Sequence, residues 1–152
     1  MDKWDIRFMK MAYLISEWSS CYREGRSIGA VIVKDKRIMT TGYNGAPAGL
    51  LTCKERRVCL RDQMNIESGT RAEVCYAIHA EQNAILQAAK LGISIDGATL
   101  YCTHQPCSVC AKMIINVGIR RVVYQQGYPD PFSIELFEQA GVLLERFEEP
   151  LD

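Results

Sequence analysis

Between residues 5 and 20, apolar side chains return every three or four positions: Phe8, Met11, Ala12, Ile15 and Trp18. That spacing predicts an amphipathic helix whose apolar stripe packs on a core. The period then changes. Residues 30–33 are an unbroken Ala-Val-Ile-Val run and residues 37–43 a second extended segment. Both read as strands, with Asp35-Lys36 as the tight turn between them. Residues 42–49, Gly-Tyr-Asn-Gly-Ala-Pro-Ala-Gly, have the composition of a loop with unusual backbone angles. Residues 50–71 keep neither period, a long irregular stretch for a compact domain.

The second half regains order. Residues 73–90 carry Ala77, Ile78, Ala84, Ile85, Ala88 and Ala89 at helical spacing, and Gly92 suits the helix end. Residues 98–103 read as a strand. Residues 106–117 read as a helix opened by Pro106 at its first position and closed by Gly118. A strand at 120–124, a helix at 131–140 and a strand at 142–147 follow, with an acidic tail expected to fray. The order β-β-α-β-α-β-α-β predicts an α/β chain with helices on the faces of a largely parallel sheet. No repeat or linker interrupts it, so one domain is expected over residues 1–152.

Composition narrows the function classes. The chain is 48% hydrophobic and 24% charged, which argues against disorder. Eighteen basic and 18 acidic residues cancel, so the basic surface expected of a nucleic-acid polymer binder is missing, and a small-molecule substrate fits better. No run approaches the roughly 20 apolar residues of a membrane span. Asp2, Lys3 and Asp5 interrupt any signal-peptide core, so a cytoplasmic location is expected. There, seven cysteines should be thiols or metal ligands rather than disulfides.

Two short stretches carry the chemistry: His79-Ala80-Glu81 and Pro106-Cys107-Ser108-Val109-Cys110. One His and two Cys give three zinc ligands and leave a fourth position open, the count of a catalytic zinc. Cys107 and Cys110 share one face at a helix N-terminus, which favours thiolates. Glu81 is the candidate proton shuttle. In a regular helix His79 and Glu81 would point about 200° apart, so the helix proper is expected to begin near His79. A structural zinc would instead need a fourth protein ligand, with His104 and then Cys102 the nearest candidates; His104 otherwise reads as a pocket-lining or a surface residue. The expected reaction is hydrolytic: the metal acidifies water, and Glu81 takes the proton and delivers protons to a ring nitrogen and a departing amine.

His-x-Glu followed by Pro-Cys-x-x-Cys is the signature of zinc-dependent nucleobase deaminases. The chain resembles the deoxycytidylate (dCMP) deaminases over about residues 16–145. The similarity is carried by Gly29-Ala30-Val31-Ile32-Val33, the 42–49 loop, His79 through Ile85, and Thr103 through Cys110. The resemblance implies the cytidine deaminase-like fold, a three-layer α/β/α arrangement around a five-stranded mixed sheet. It also implies hydrolysis of dCMP to dUMP and ammonia, supplying dUMP for thymidylate synthesis. Asn44 would contact the deoxyribose. Ala80 would lie against the substrate, Arg26 and Ser27 would sit by the 5′-phosphate, and Tyr128 would be the aromatic closing residue. The resemblance further implies a homo-oligomer, favouring a hexamer, activated by dCTP and inhibited by dTTP. Gly42, Tyr43, Asn44 and Gly45 would then be effector contacts, with backbone N–H groups forming an anion nest. Many members hold a second, structural zinc in the Cys-rich middle. Here Cys21, Cys53, Cys59 and Cys75 are the four available thiols, suited to a closed site or to remain buried free thiols.

Other readings are a tRNA adenosine deaminase, a riboflavin-pathway deaminase, or a zinc-stabilised binding module without turnover. Residues 53–71 carry five basic and three acidic side chains, only +2, which is low for a tRNA surface. A proton shuttle has no use in a purely structural site.

Overall fold

In the computed structural model, which describes residues 1–151, five strands form one mixed sheet in the order β2-β1-β3-β4-β5. β1 (Gly29–Lys34) turns through Asp35 and Lys36 into antiparallel β2 (Arg37–Tyr43). Both turn residues have positive φ, the geometry of a two-residue hairpin matched to strand twist. β1 also runs antiparallel to β3 (Thr99–His104). β3 to β4 (Arg121–Gln126) and β4 to β5 (Leu143–Arg146) are parallel. The expectation of a largely parallel sheet is therefore corrected, because half of the pairings are antiparallel. A two-residue turn can only reverse the chain, whereas parallel neighbours need a crossover helix.

Helix α1 (Lys3–Ser16) covers one face of the sheet. Its Asp2 cap and Asp5 form a capping box, and Phe8, Met9, Ala12 and Ile15 pack on Val31, Tyr101, Val123 and Phe147. Two four-residue helices, α2 (Cys53–Arg56) and α3 (Leu60–Gln63), occupy the segment that showed no periodicity, and a 3-10 turn (Ala72–Val74) follows it. Helices α4 (Ala80–Leu91), α5 (Ser108–Asn116) and α6 (Pro131–Ala140) supply the core of the opposite face. There Ala84, Ala88, Ile114 and Phe137 pack on Ala30, Ile32, Leu100 and Val122. The result is the three-layer α/β/α fold with a five-stranded mixed sheet.

Two glycines set the spacing of the layers. A Cβ on Gly29 would collide with Ala12 O and Ser16 N of α1, and one on Gly42 with Ala80 O and Ala84 N of α4. Backbone thus meets backbone on both faces of the sheet. This anchors the start of α4, where the candidate ligand lies.

Several boundaries differ from the sequence expectation. α1 stops at Ser16, so Trp18 lies beyond the apolar stripe, 59% exposed, with its ring edge on Tyr43. Residues 75–79 are not helical: Ile78 bridges Gly45, and α4 starts at Ala80. Pro106 precedes α5 rather than opening it, because Cys107 takes the N-cap. The tail is docked: Phe147 is fully buried, and Leu151 packs on the α1 core. Asp152, the last residue of the expected domain and tail, lies outside the described residues.

Candidate active site

The site is built from two helix N-termini whose capping side chains meet. His79 is the N-cap of α4, in extended backbone, and its N–H donates to the Gln82 side chain at 3.0 Å. Cys107 is the N-cap of α5, and Cys110 lies one turn on. An N-cap side chain folds back over the first turn, which is why Cys107 and Cys110 share one side. His79 Nδ1 lies 3.2 Å from Cys110 Sγ and 3.6 Å from Cys107 Sγ. All three atoms fall within 4.8 Å of one another, the one such His/Cys/Asp/Glu cluster among the described residues. Bonds of about 2.0–2.3 Å to a tetrahedral zinc give ligand-to-ligand edges of about 3.6–3.8 Å. One imidazole and two thiols at this spacing fit zinc in both chemistry and geometry.

Glu81 is the second residue of α4 and only 5% exposed. Starting the helix after His79 resolves the expected 200° conflict: the His is outside the helix and the Glu just inside it. Burial pushes the Glu81 carboxyl above its ordinary range, and its own backbone N–H and the His79 charge oppose this only in part. The hydrogen bond from Cys110 holds the Cys107 thiol down to about 4, against burial, and the same bond drives Cys110 far upward. The hydrogen bond to Cys107 raises His79 despite its burial. Beneath the carboxyl, Cys102 is fully buried with its thiol pushed well up, first by burial and then by Glu81. It is a neutral floor, and neither it nor His104 joins the ligand cluster.

Residues 2–126 match the family described as the cytidine and deoxycytidylate deaminase zinc-binding region. The chain belongs to this family. It is 42% identical over 146 residues to the ComE operon protein 2 of Bacillus subtilis, covering 95% of this chain and 71% of that one. It is 37% identical over 148 residues to the deoxycytidylate deaminase of Schizosaccharomyces pombe, covering 97% of this chain but only 45% of that enzyme. The chain therefore spans less than half the length of the latter relative. Its fold is similar to that of the dCMP deaminase of cyanophage S-TIM5, at TM-score 0.75 and 34% identity, covering 97% of this chain and 100% of that one. The cyanophage enzyme is also solved with dCMP and dUMP, at TM-score 0.73 over 93% of this chain and 94% of that one.

The other expected residues of this deaminase-family chain fall in different settings. Asn44 is buried and acts as a clasp: Oδ1 accepts the Ile28 N–H at 2.9 Å, and Nδ2 donates to Arg26 O at 2.6 Å. Arg26 and Ser27 are thereby held exposed just before β1, and Arg26 donates to Ser68 Oγ at 3.0 Å. Ala80 is buried beside Glu81. Tyr128 is 94% exposed and stands away from every core cluster.

The 42–49 loop is less unusual than its composition suggests, since Gly49 alone has positive φ. The N–H groups of Asn44, Gly45 and Ala46 are already donated to Ile28 O, Ile78 O and Ser20 Oγ. The expected anion nest is therefore not formed by these three groups, and Gly42 and Gly45 are buried.

All seven cysteines are free thiols. Cys21, Cys53, Cys59 and Cys75 are near enough to influence one another: burial first, and the neighbouring cysteines after it, push the Cys21 and Cys53 thiols up. No three of these sulfurs come within 4.8 Å of one another. The sequence reading missed Gln105, both of whose side-chain amide atoms are buried without a partner beside the Pro106 turn. Only a structure shows such an orphan.

Proposed function

We propose that this chain catalyses the zinc-dependent hydrolysis of dCMP to dUMP and ammonia. The observation that carries the reading is the buried Glu81 carboxyl set against the His79–Cys107–Cys110 triangle. It is supported by 34% identity to an enzyme solved with dCMP and dUMP. A tRNA or riboflavin-pathway substrate is not favoured by these relatives, and a module without turnover leaves the buried carboxyl with no task. Residues 1–152 act as one domain in this reading, feeding dUMP toward thymidylate.

His79 Nδ1, Cys107 Sγ and Cys110 Sγ would hold the zinc, which supplies the Lewis acidity that brings a water's pKa toward neutrality. Glu81 takes the water proton on its carboxylate and passes it to N3 of the pyrimidine. The water oxygen bonds to C4 of the pyrimidine, and its second proton goes by the same carboxyl oxygens to the exocyclic amine, so that the C4–N bond breaks, ammonia leaves and the oxygen remains as the C4 carbonyl of dUMP. Burial of Glu81 aids this, because a carboxyl with a raised pKa gives and takes protons nearer neutral pH. Ala80 lies against the base, Asn44 faces the deoxyribose, and Arg26 and Ser27 receive the 5′-phosphate. Tyr128, exposed as it stands, closes over the bound nucleotide.

A second zinc on Cys21, Cys53, Cys59 and Cys75 belongs to the same proposal, supported by their mutual influence. So do a homo-oligomer, for which exposed Leu86, Leu91, Val109 and Met113 on α4 and α5 offer apolar surface, and a cytoplasmic setting without a nucleic-acid polymer. A hexamer regulated by dCTP and dTTP rests on the family resemblance. With the N–H groups of residues 44–46 occupied, the effector phosphates would be held by side chains. Among the described residues no helix is long and apolar enough to cross a membrane.

The reading is tested by kcat/KM on dCMP and deoxycytidine with zinc-loaded enzyme. Leaving a phosphate site unpaired costs about 1–3 kcal/mol, so dCMP is favoured about ten- to a hundredfold. Equal values would refute it.

A further inference from the structure

Thr103 and His104 end β3 beside the Pro106 turn, and their side chains form a relay whose direction the hydrogen bonds decide. Thr103 is fully buried. Its Oγ1 accepts the Gly29 N–H at 3.2 Å and lies 2.8 Å from His104 Nδ1. A buried hydroxyl also needs an acceptor for its own proton. Among the described residues His104 Nδ1 is the partner left for it. That nitrogen is then a bare acceptor, and the ring proton sits on Nε2.

Where the far edge of the ring faces follows from strand geometry. Side chains alternate along a strand, so His104 shares its face with Cys102, which packs with Ala80 and Cys110. The antiparallel register pairs Ala30 with Cys102. Continued, it brings Ile28 opposite His104 and places Arg26 just beyond. Arg26 is close enough for its charge to reach the ring: burial first, and Arg26 second, keep His104 below its ordinary pKa. Arg26 donates to Ser68 Oγ and, among the described residues, pairs with no carboxylate. A guanidinium and a fixed N–H donor side by side make a pocket for an anion.

We infer that His104 is a specificity-determining residue whose Nε2–H donates to the phosphomonoester of the substrate beside Arg26, and that Thr103 is the positioning residue that fixes its tautomer. The inference rests on the dCMP reading and adds to it a donor from β3 beside the 26–27 segment. A nucleoside without the phosphate offers no acceptor there, so the residue acts on discrimination between nucleotide and nucleoside.

The test is steady-state kinetics of zinc-loaded His104→Asn and His104→Gln on dCMP and deoxycytidine. Asn retains an atom near Nδ1 and removes the far donor. Gln reaches the Nε2 position with an N–H. The ratio of kcat/KM for dCMP to that for deoxycytidine should fall about ten- to a hundredfold in His104→Asn, through KM, and should be largely restored in His104→Gln. An unchanged ratio in His104→Asn, an equal fall on both substrates, or an equal loss of ratio in both variants would overturn the inference. A wild type that does not prefer dCMP would instead defeat the dCMP reading itself. If the variants fail to fold, nitrogen-15 NMR of the wild-type enzyme decides, since the chain has only two histidines. The Nε2–H tautomer of His104, shifted by dCMP and not by deoxycytidine, is expected; an Nδ1–H tautomer, or equal shifts with both, would overturn it.

Discussion

Two sets of cysteines in this chain differ in what the backbone does for them. Cys107 and Cys110 sit at the start of a nine-residue helix locked against the sheet, facing a histidine at the start of another helix. Their sulfurs fall at ligand distance from His79, and one thiol is held down to about 4. Cys53 opens one four-residue helix, Cys59 caps another, and Cys21 and Cys75 lie in irregular chain; burial pushes Cys21 and Cys53 up rather than down. The same side chain is a poised ligand where regular elements converge. Where the chain between elements is irregular, it is a buried or half-buried thiol.

The largest expected effect lies in the first set. Cys110→Ala removes one of three ligands and should abolish both zinc retention and deamination, whereas Cys59→Ala should leave turnover within a few-fold of wild type. Metal analysis and turnover of the two variants check this, and equal loss in both would erase the contrast. Thiol reactivity sharpens it further. In zinc-stripped protein, pH 6.5 lies above the Cys107 pKa of about 4, so Cys107 is a thiolate, while Cys21 and Cys53, raised above the ordinary 9, stay protonated. Iodoacetamide should therefore modify Cys107 first, as read by peptide mass spectrometry, and bound zinc should protect it. The smallest effect concerns the second set alone. If it closes on a metal, wild type carries two zinc ions per chain and Cys59→Ala one, with a lowered melting temperature. One zinc in a well-folded wild type would leave these residues as buried thiols.

The candidate metal cluster was legible in the sequence because its spacing encodes its geometry. His79 with Glu81 two residues on makes sense only at a helix start, and the helix begins at Ala80. The strands were legible from their apolar runs, but the sheet order was not, since nothing local tells β1 to lie between β2 and β3. Gly42 read as a loop residue and Gly29 only as part of the family motif; both prove to be points where α4 and α1 press backbone against the sheet. Trp18 continued the apolar spacing of α1 past the point where the helix stops, because spacing alone does not mark a helix end. Asn44 read as a substrate contact; in the structure its side chain is the clasp that holds residues 26–28. The Thr103–His104 relay depends on which groups lie across the sheet, information that no single stretch contains.

The proposed mechanism depends most directly on Glu81, the carboxyl beside the candidate metal ligands but outside their cluster. Glu81→Gln keeps the size and burial of the side chain and removes its capacity to carry a proton. Zinc content and dCMP turnover measured on the same preparation should show one catalytic zinc per chain still bound at His79, Cys107 and Cys110, with kcat reduced by about 10²–10⁴-fold or more. A variant that keeps its zinc and deaminates dCMP at a rate near wild type would contradict the role assigned to Glu81 and the mechanism built on it.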